Sequence, residues 1–255
     1  MKVVILAGGF GTRLAEETVT IPKPMVQIGQ HPILWHIMKF YACYGFEEFV
    51  VALGYKAEMV KNYFLQFADM ASDLTIDLAS GAVERRRRHR ENWKVHLIDT
   101  GLDTLTGGRV LRLAPLVSGE PFMLTYGDGL SDVPLDRLLA YHKGHGRLAT
   151  VTAVPALARF GNIVFDGDRV SGFAEKRTTD DAWINGGFMV MEPGVFDYLH
   201  KDEDVLEVDL LERLTADGQL AAFRHKGFWQ CMDTLRDRQS LERLWLTETP
   251  PWKRW

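Results

Sequence analysis

Three glycines, Gly8, Gly9 and Gly11, stand at the end of the apolar run VVILA (residues 3–7). Arg13 follows two residues later, and Lys23 lies between Pro22 and Pro24. Backbone N–H groups of a glycine-rich loop can approach a phosphate or a base edge closely. A nearby arginine can grip phosphate oxygens through two N–H groups, and a lysine adds a compact charge. The chemistry these residues suggest is the handling of phosphate groups. Two common phosphate loops do not fit. G-x-G-x-x-G needs a third glycine where Leu14 stands, and no acid lies about 20 residues further on, where Gln27, Ile28 and Gln30 occur. A P-loop needs Gly-Lys-Ser/Thr, a sequence that occurs nowhere in the chain. For the glycine cluster alone, a tight turn without a ligand stays open.

Two aspartates are candidates for work beside such a loop. Asp128 sits in a Gly-Asp-Gly turn after an apolar stretch, where a short carboxylate can reach a crevice; a turn-forming aspartate is the alternative. Asp233 lies in GFWQCMDT, and its alternative role is the N-cap of a helix through TLRDRQSL. Thr106 and Arg109 belong to TGGR, at a predicted helix start suited to anions; a simple cap and a surface arginine are the alternative. The run RRRRHR (85–90) reads as a solvated loop or subunit contact that can also steer anions. The tryptophans at 35, 93, 229 and 245 read as core or interface.

The elements that must position these residues alternate. Residues 3–7, 49–53, 95–98, 121–125 and 149–154 are apolar runs expected as strands. Helices are expected at 33–45, with Gly45 as C-cap, at 57–68, near 107–117 and 134–144, and at 205–217 and 234–246. Val60, Tyr63, Phe64 and Phe67 form the apolar stripe of the second helix. This order predicts βαβ units and a mostly parallel sheet, with ligands beyond the C-terminal strand ends, where residues 8–11 and 126–129 fall. After about residue 158 the pattern changes to a hairpin around Asp-Gly-Asp (162–175) and a strand opened by glycines (184–191). We read 158–192 as a mixed or antiparallel extension over the ligand.

The totals narrow the class. With 255 residues the chain is expected to form a single domain. A net charge of −4 argues against a general nucleic-acid binder. No apolar run approaches membrane-spanning length, and no signal peptide is expected. The two cysteines, Cys43 and Cys231, have no metal-ligand or redox spacing and are expected as reduced thiols in a cytoplasmic protein.

L-A-G-G-x-G-T-R-L (6–14) followed by P-K-P-M (22–25) resembles the signature of the sugar-1-phosphate nucleotidyltransferases. PILWHIM (32–38), TGGR (106–109), TYGDG (125–129), INGGF (184–188) and GFWQCMDT (227–234) are similar to its cytidylyl branch. The chain departs from that pattern at Gln30–His31, Asn92, Arg177 and Cys231. The resemblance runs nearly end to end. It implies a Rossmann-like, mostly parallel sheet flanked by helices, with a nucleotide-binding part (1–157) and a sugar-phosphate-binding and C-terminal part (158–255). It also implies CTP and glucose 1-phosphate as substrates, CDP-glucose and pyrophosphate as products, Mg²⁺ as cofactor, and a homo-oligomer. UTP or dTTP, another sugar 1-phosphate, and a non-catalytic sugar-nucleotide sensor are the alternatives. The implied catalytic residues are Arg13, Lys23 and Asp128, with the metal on Asp128 and Asp233. Nucleotide contacts fall to Leu6, Ala7, Gly8, Gly9, Gly11, Thr12, Arg13, Lys23, Thr104, Thr106, Arg109 and Gly127. Glu175, Lys176, Asn185 and Gly186 would hold the sugar phosphate.

Overall fold

The structure is a computed structural model. It describes all residues except 12–13, 15–17, 19, 88–90, 157–161 and 175–181, and the side chains of 87, 162–166 and 172–174 also lie outside the description. Arg13, Thr12, Glu175 and Lys176 therefore lie outside the described residues, as do 88–90 of the arginine run.

The main sheet is built from β1 (Val3–Leu6), β2 (Glu48–Leu53), β3 (Lys94–Asp99), β4 (Phe122–Tyr126), β5 (Ala149–Pro155), β6 (Trp183–Asn185), β7 (Met189–Met191) and β8 (Leu220–Arg224). β1 pairs in parallel with β2 and β4, placing Val3 beside Phe49 and Met123, and β2 pairs in parallel with β3. β4 and β5 are joined through the antiparallel β7, and β8 runs parallel to β5 on its far side. Strands from after residue 157 thus belong to the same sheet as the glycine loop's strand.

Every residue of β1 is buried. Val3 and Ile5 enter one apolar cluster and Val4 and Leu6 another, so the alternating side chains feed a core on each face of the sheet. This is why such strands read as continuous apolar runs. Helix α1 (Ile33–Ala42) buries all but Lys39 and Ala42, as expected of a helix that is apolar nearly all round. It stops three residues before Gly45, whose φ of 82° turns the chain. Helix α2 (Ala57–Met70) buries Val60 fully and packs Phe64 against the core.

Several expectations need correction. The helix expected over 107–117 is two, α3 (Thr106–Arg112) and α4 (Ala114–Val117), broken where Pro115 removes a backbone donor. The strand expected over 184–191 is split into β6 and β7, which both pair with β5 but out of register. Ala149 faces Met191, and Ala153 faces Asn185 where regular pairing would place Gly187. The helix expected over 205–217 opens as a π-helical stretch, Leu206–Glu212, before α6 (Arg213–Ala216). The run 85–90, expected as a solvated loop or subunit contact, begins inside a strand: Val83–Arg87 pairs antiparallel with Ser72–Ile76, and Arg85 grips Asp69 with Nε to Oδ1 at 2.5 Å and Nη2 to Oδ2 at 3.2 Å. Helix α5 (Leu135–His145) and helix α7 (Leu235–Trp245) stand where the pattern placed them. Among the described residues no helix is long and apolar enough to cross a membrane.

Candidate active site

At the C-terminal ends of β1 and β4 lies a cleft of about 420 Å³. Leu6, Ala7, Gly8, Gly9, Gly11, Lys23, Thr104, Thr106, Arg109, Gly127, Asp128 and Asp233 all line it. Phe10, Pro24, Leu102, Asp103, Leu105 and Tyr126 complete the wall. The sequence reading did not single out these six. Tyr126 ends β4, and the rule that ligands sit beyond strand ends carried the signal for it.

Lys23 opens a one-turn 3₁₀ segment (Lys23–Met25) after Pro22, which fixes where its stem leaves the chain. Its ammonium donates to Asp128 Oδ2 at 2.5 Å and to Asp233 Oδ1 at 2.7 Å. Burial alone would lower the Lys23 pKa. The charges and hydrogen bonds of Asp128 and Asp233 outweigh it and hold the ammonium above the ordinary lysine value.

A small antiparallel pairing brings the two aspartates together. Gly129–Ser131 runs against Trp229–Cys231, and Met232 N donates to the Asp128 carbonyl at 2.8 Å. The N-cap of α7 is Thr234, not Asp233. Thr234 and Asp237 form a reciprocal capping box, with Thr234 N donating to Asp237 Oδ2 at 2.8 Å. Because Thr234 takes that role, the Asp233 carboxylate is directed at Lys23 instead. Cys231, where the related pattern has proline, donates its thiol to Asp233 Oδ2 at 3.7 Å. Burial and then the charge of Asp233 push this thiol up to about 12, so it stays protonated as a donor.

The wall opposite is organised by Arg109. Its guanidinium donates to the carbonyls of Leu53, Gly101, Gly8 and Leu102 and to Thr100 Oγ1, at 2.7–3.2 Å. Gly8 is required by this approach, because a Cβ there would lie 2.3 Å from Arg109 Nη1. Arg109 is only 4% exposed, so its main visible work is to tie the glycine loop to the ends of β2 and β3.

The helix start at Thr106 is also occupied. Gly107 N and Gly108 N both donate to the Asp204 carbonyl, at 2.8 and 3.0 Å, so the amides expected to face an anion are taken by the chain itself. The Thr106 hydroxyl donates to Glu207 Oε2 at 3.3 Å and accepts from Leu206 N at 2.9 Å.

Asn185 and Gly186 are not among the residues that line the cleft; of the two, Asn185 bonds one that is. Asn185 Nδ2 donates to the Tyr126 hydroxyl at 3.2 Å, and that hydroxyl donates to Glu207 Oε1 at 2.5 Å. Trp229 Nε1 donates to the Gly186 carbonyl at 2.7 Å. Burial first, then the charge of Glu207, raise the Tyr126 pKa, so the phenol keeps its proton. Glu207 had no sequence signal, being one acid among several on an expected helix.

Two carboxylates whose oxygens already converge on one cation form a donor set suited to a hard divalent ion such as Mg²⁺. Such an ion takes one or two carboxylates, with phosphate oxygens and water filling its remaining positions. The residues present therefore fit a metal bound together with a phosphorylated substrate. Among the described residues no cluster of three or more His, Cys, Asp or Glu side chains could hold a metal on its own.

The chain is similar to known proteins along its length. The family model for nucleotidyl transferases matches residues 2–237. The chain is 46% identical to a glucose-1-phosphate cytidylyltransferase of Salmonella typhi, over 100% of both chains. It is 44% identical to a probable glucose-1-phosphate cytidylyltransferase of Bacillus subtilis, again over 100% of both. In fold it is similar to HddC from Yersinia pseudotuberculosis complexed with GMP-PN, with a TM-score of 0.70 at 23% identity, covering 95% of this chain and 98% of that one. A UDP-glucose pyrophosphorylase complexed with UDP-glucose gives a TM-score of 0.65 at 18% identity, covering 95% and 97%. A glycine loop at a parallel strand end, a lysine held by two distant aspartates, and full-length relatives with one reaction in their names converge: the chain belongs to the nucleotidyl transferase family.

Proposed function

We propose that this protein joins CTP and α-D-glucose 1-phosphate to give CDP-glucose and pyrophosphate. The observation that carries the reading is Lys23 bonded to both Asp128 and Asp233 in the wall of the cleft that Gly8, Gly9 and Gly11 also line. A phosphate oxygen of the sugar attacks the α-phosphorus of CTP. The bond to the β-phosphate bridging oxygen breaks, and pyrophosphate leaves with that electron pair. Such a transfer needs positioning and charge neutralisation more than a covalent intermediate.

The glycine loop presents backbone to the nucleotide, and Arg13 and Lys23 meet the triphosphate charge. Thr104, Thr106 and Arg109 shape the opposite wall. Glu175, Lys176, Asn185 and Gly186 hold the sugar phosphate. Asp128 and Asp233 would hold Mg²⁺, which when bound supplies positive charge to phosphate oxygens.

The test is a panel of CTP, UTP, dTTP, ATP and GTP, each with glucose 1-phosphate and Mg²⁺, read as pyrophosphate release. Release with CTP, lost in Asp128→Asn by about 100-fold or more, is the expected outcome. Release only with another triphosphate, or none, overturns the assignment of the base or of the reaction.

We place the protein in the cytoplasm and read it as self-associating. The hairpin of residues 72–87 supports self-association, because Leu74, Ile76, Leu78 and Val83 are exposed on it beside Met70 of α2. Sedimentation at micromolar concentration decides this; a monomer overturns it.

A further inference from the structure

The pair formed by Asp128 and Asp233 is already bridged by a cation, and that cation belongs to the chain. The Lys23 ammonium lies 2.5 Å from Asp128 Oδ2 and 2.7 Å from Asp233 Oδ1. The side chains are largely enclosed, with 12% of Lys23, 12% of Asp233 and 27% of Asp128 exposed. Among the described residues, this one ammonium is shared by both carboxylates. A divalent ion held by the same two carboxylates would compete with the ammonium for them. Two cations crowded together repel strongly where water is partly excluded.

We propose that Lys23 is the resident counter-cation of the Asp128–Asp233 pair, and that a divalent metal binds there by displacing its ammonium toward the glycine loop. The inference rests on reading the two aspartates as the metal pair. The loop lies within reach of the displaced side chain, since a Cβ on Gly11 would sit 3.2 Å from Lys23 Cβ.

The arrangement has two effects. Without metal, the carboxylates do not face each other unbalanced, which keeps the site assembled. Metal alone binds weakly, because it must first break two charged hydrogen bonds of Lys23. A triphosphate offers the displaced ammonium new anionic partners, so metal and nucleotide each favour the binding of the other by the same factor. Lys23 is then a positioning residue for the metal as well as a phosphate contact.

The test is Mn²⁺ titration of the full chain without nucleotide, followed by electron paramagnetic resonance, on wild type, Lys23→Met and Lys23→Arg. Lys23→Met is expected to bind Mn²⁺ about tenfold tighter than wild type, while Lys23→Arg, which keeps the charge, stays as weak as wild type. Saturable binding of equal or lower affinity in Lys23→Met overturns the inference alone. Absence of saturable binding in both wild type and Lys23→Met overturns the metal-pair reading and the inference with it. A second measurement needs no variant: acylation of wild-type lysines, read by mass spectrometry. Lys23 is expected to be protected without metal and to become labelled when Mg²⁺ is added. Labelling that Mg²⁺ leaves unchanged counts against displacement even if the variants fail to fold.

Discussion

The Tyr126 hydroxyl donates to Glu207 Oε1 at 2.5 Å, joining the end of a sheet strand to a π-helical turn 81 residues later in the chain. The same hydroxyl accepts from Asn185, and the same carboxylate accepts from Thr106, so one short chain of bonds links residues on both sides of the cleft. Irregular π turns are frequent at functional sites. Here such a turn carries Glu207.

Tyr126→Phe removes the donor and the acceptor at once. We expect kcat/KM for glucose 1-phosphate to fall roughly tenfold, the scale of one hydrogen bond to a charged group. The effect should fall mainly on KM for the sugar phosphate, with Glu207→Gln showing the same direction. Steady-state kinetics with each substrate varied in turn decides it. A loss confined to the KM for CTP would show that the link serves the nucleotide side instead.

Arg109 separates structural from ligand roles. Five acceptors surround its guanidinium, and a lysine has three donors and no planar fork. Arg109→Lys and Arg109→Met should each cost about 3 kcal/mol or more, because buried carbonyls are left unpaired. Urea denaturation measures this. Stability at the wild-type level with a raised KM for CTP would assign the guanidinium to the nucleotide.

A Cβ on Gly108 would lie 2.2 Å from the Asp202 carbonyl oxygen, and on Gly107 it would lie 2.7 Å from that of Asp204. Backbone cannot yield as a flexible side chain can, so Gly108→Ala should destabilise by about 1–3 kcal/mol. Gly119→Ala, with no atom within 4 Å of the added carbon, is the control and should stay within about 0.5 kcal/mol of wild type. Thermal unfolding of the two side by side is sufficient; equal midpoints would refute the packing account.

His36 is fully buried in α1. Its Nε2 donates to the Ile28 carbonyl at 2.8 Å, and Nδ1 accepts from Trp252 Nε1 at 3.4 Å, so the ring is neutral. Burial lowers its pKa to about 4 from an ordinary 6.5. Between those values the unfolded chain binds the proton that the folded chain refuses. Stability should therefore be complete above about pH 6.5 and be lost as pH falls to about 4, by up to about 3 kcal/mol. Denaturation at pH 7 and pH 4.5 should show this difference in wild type and a smaller one in His36→Gln. An identical pH slope in both proteins would assign the acid sensitivity elsewhere.

What could be read from the sequence follows physical rules. β1, β2 and β4 are buried on both faces and so appear as apolar runs, and α1 and α2 carry apolar stripes. Glycine and aspartate are ordinary turn residues, so the glycines, Lys23, Asp128 and Asp233 could be named only because the motifs that hold them, L-A-G-G-x-G-T-R-L, P-K-P-M, TYGDG and GFWQCMDT, resemble those of a known family. The hairpin of residues 72–87 was not legible, since residues 83–86 expose their side chains and the stretch reads as a charged run. The reason for the two glycines in TGGR was hidden as well. They make room for the backbone of residues 202–204, about a hundred positions away, and no local pattern records that contact. Glu207 was missed for the same cause: its partners, Thr106 and Tyr126, are distant in the chain.

The spacing of the central trio also orders events while the chain is being made. Lys23 precedes Asp128 by 105 residues and Asp233 by 210. At about 5–20 residues per second, the lysine leaves the ribosome roughly 10–40 s before its second carboxylate. During that interval the nascent chain has its glycine loop and its ammonium but not the acid that completes the trio. The growing polypeptide therefore passes through most of its synthesis without a competent centre, and capability arrives only when the last third of the fold closes over the first.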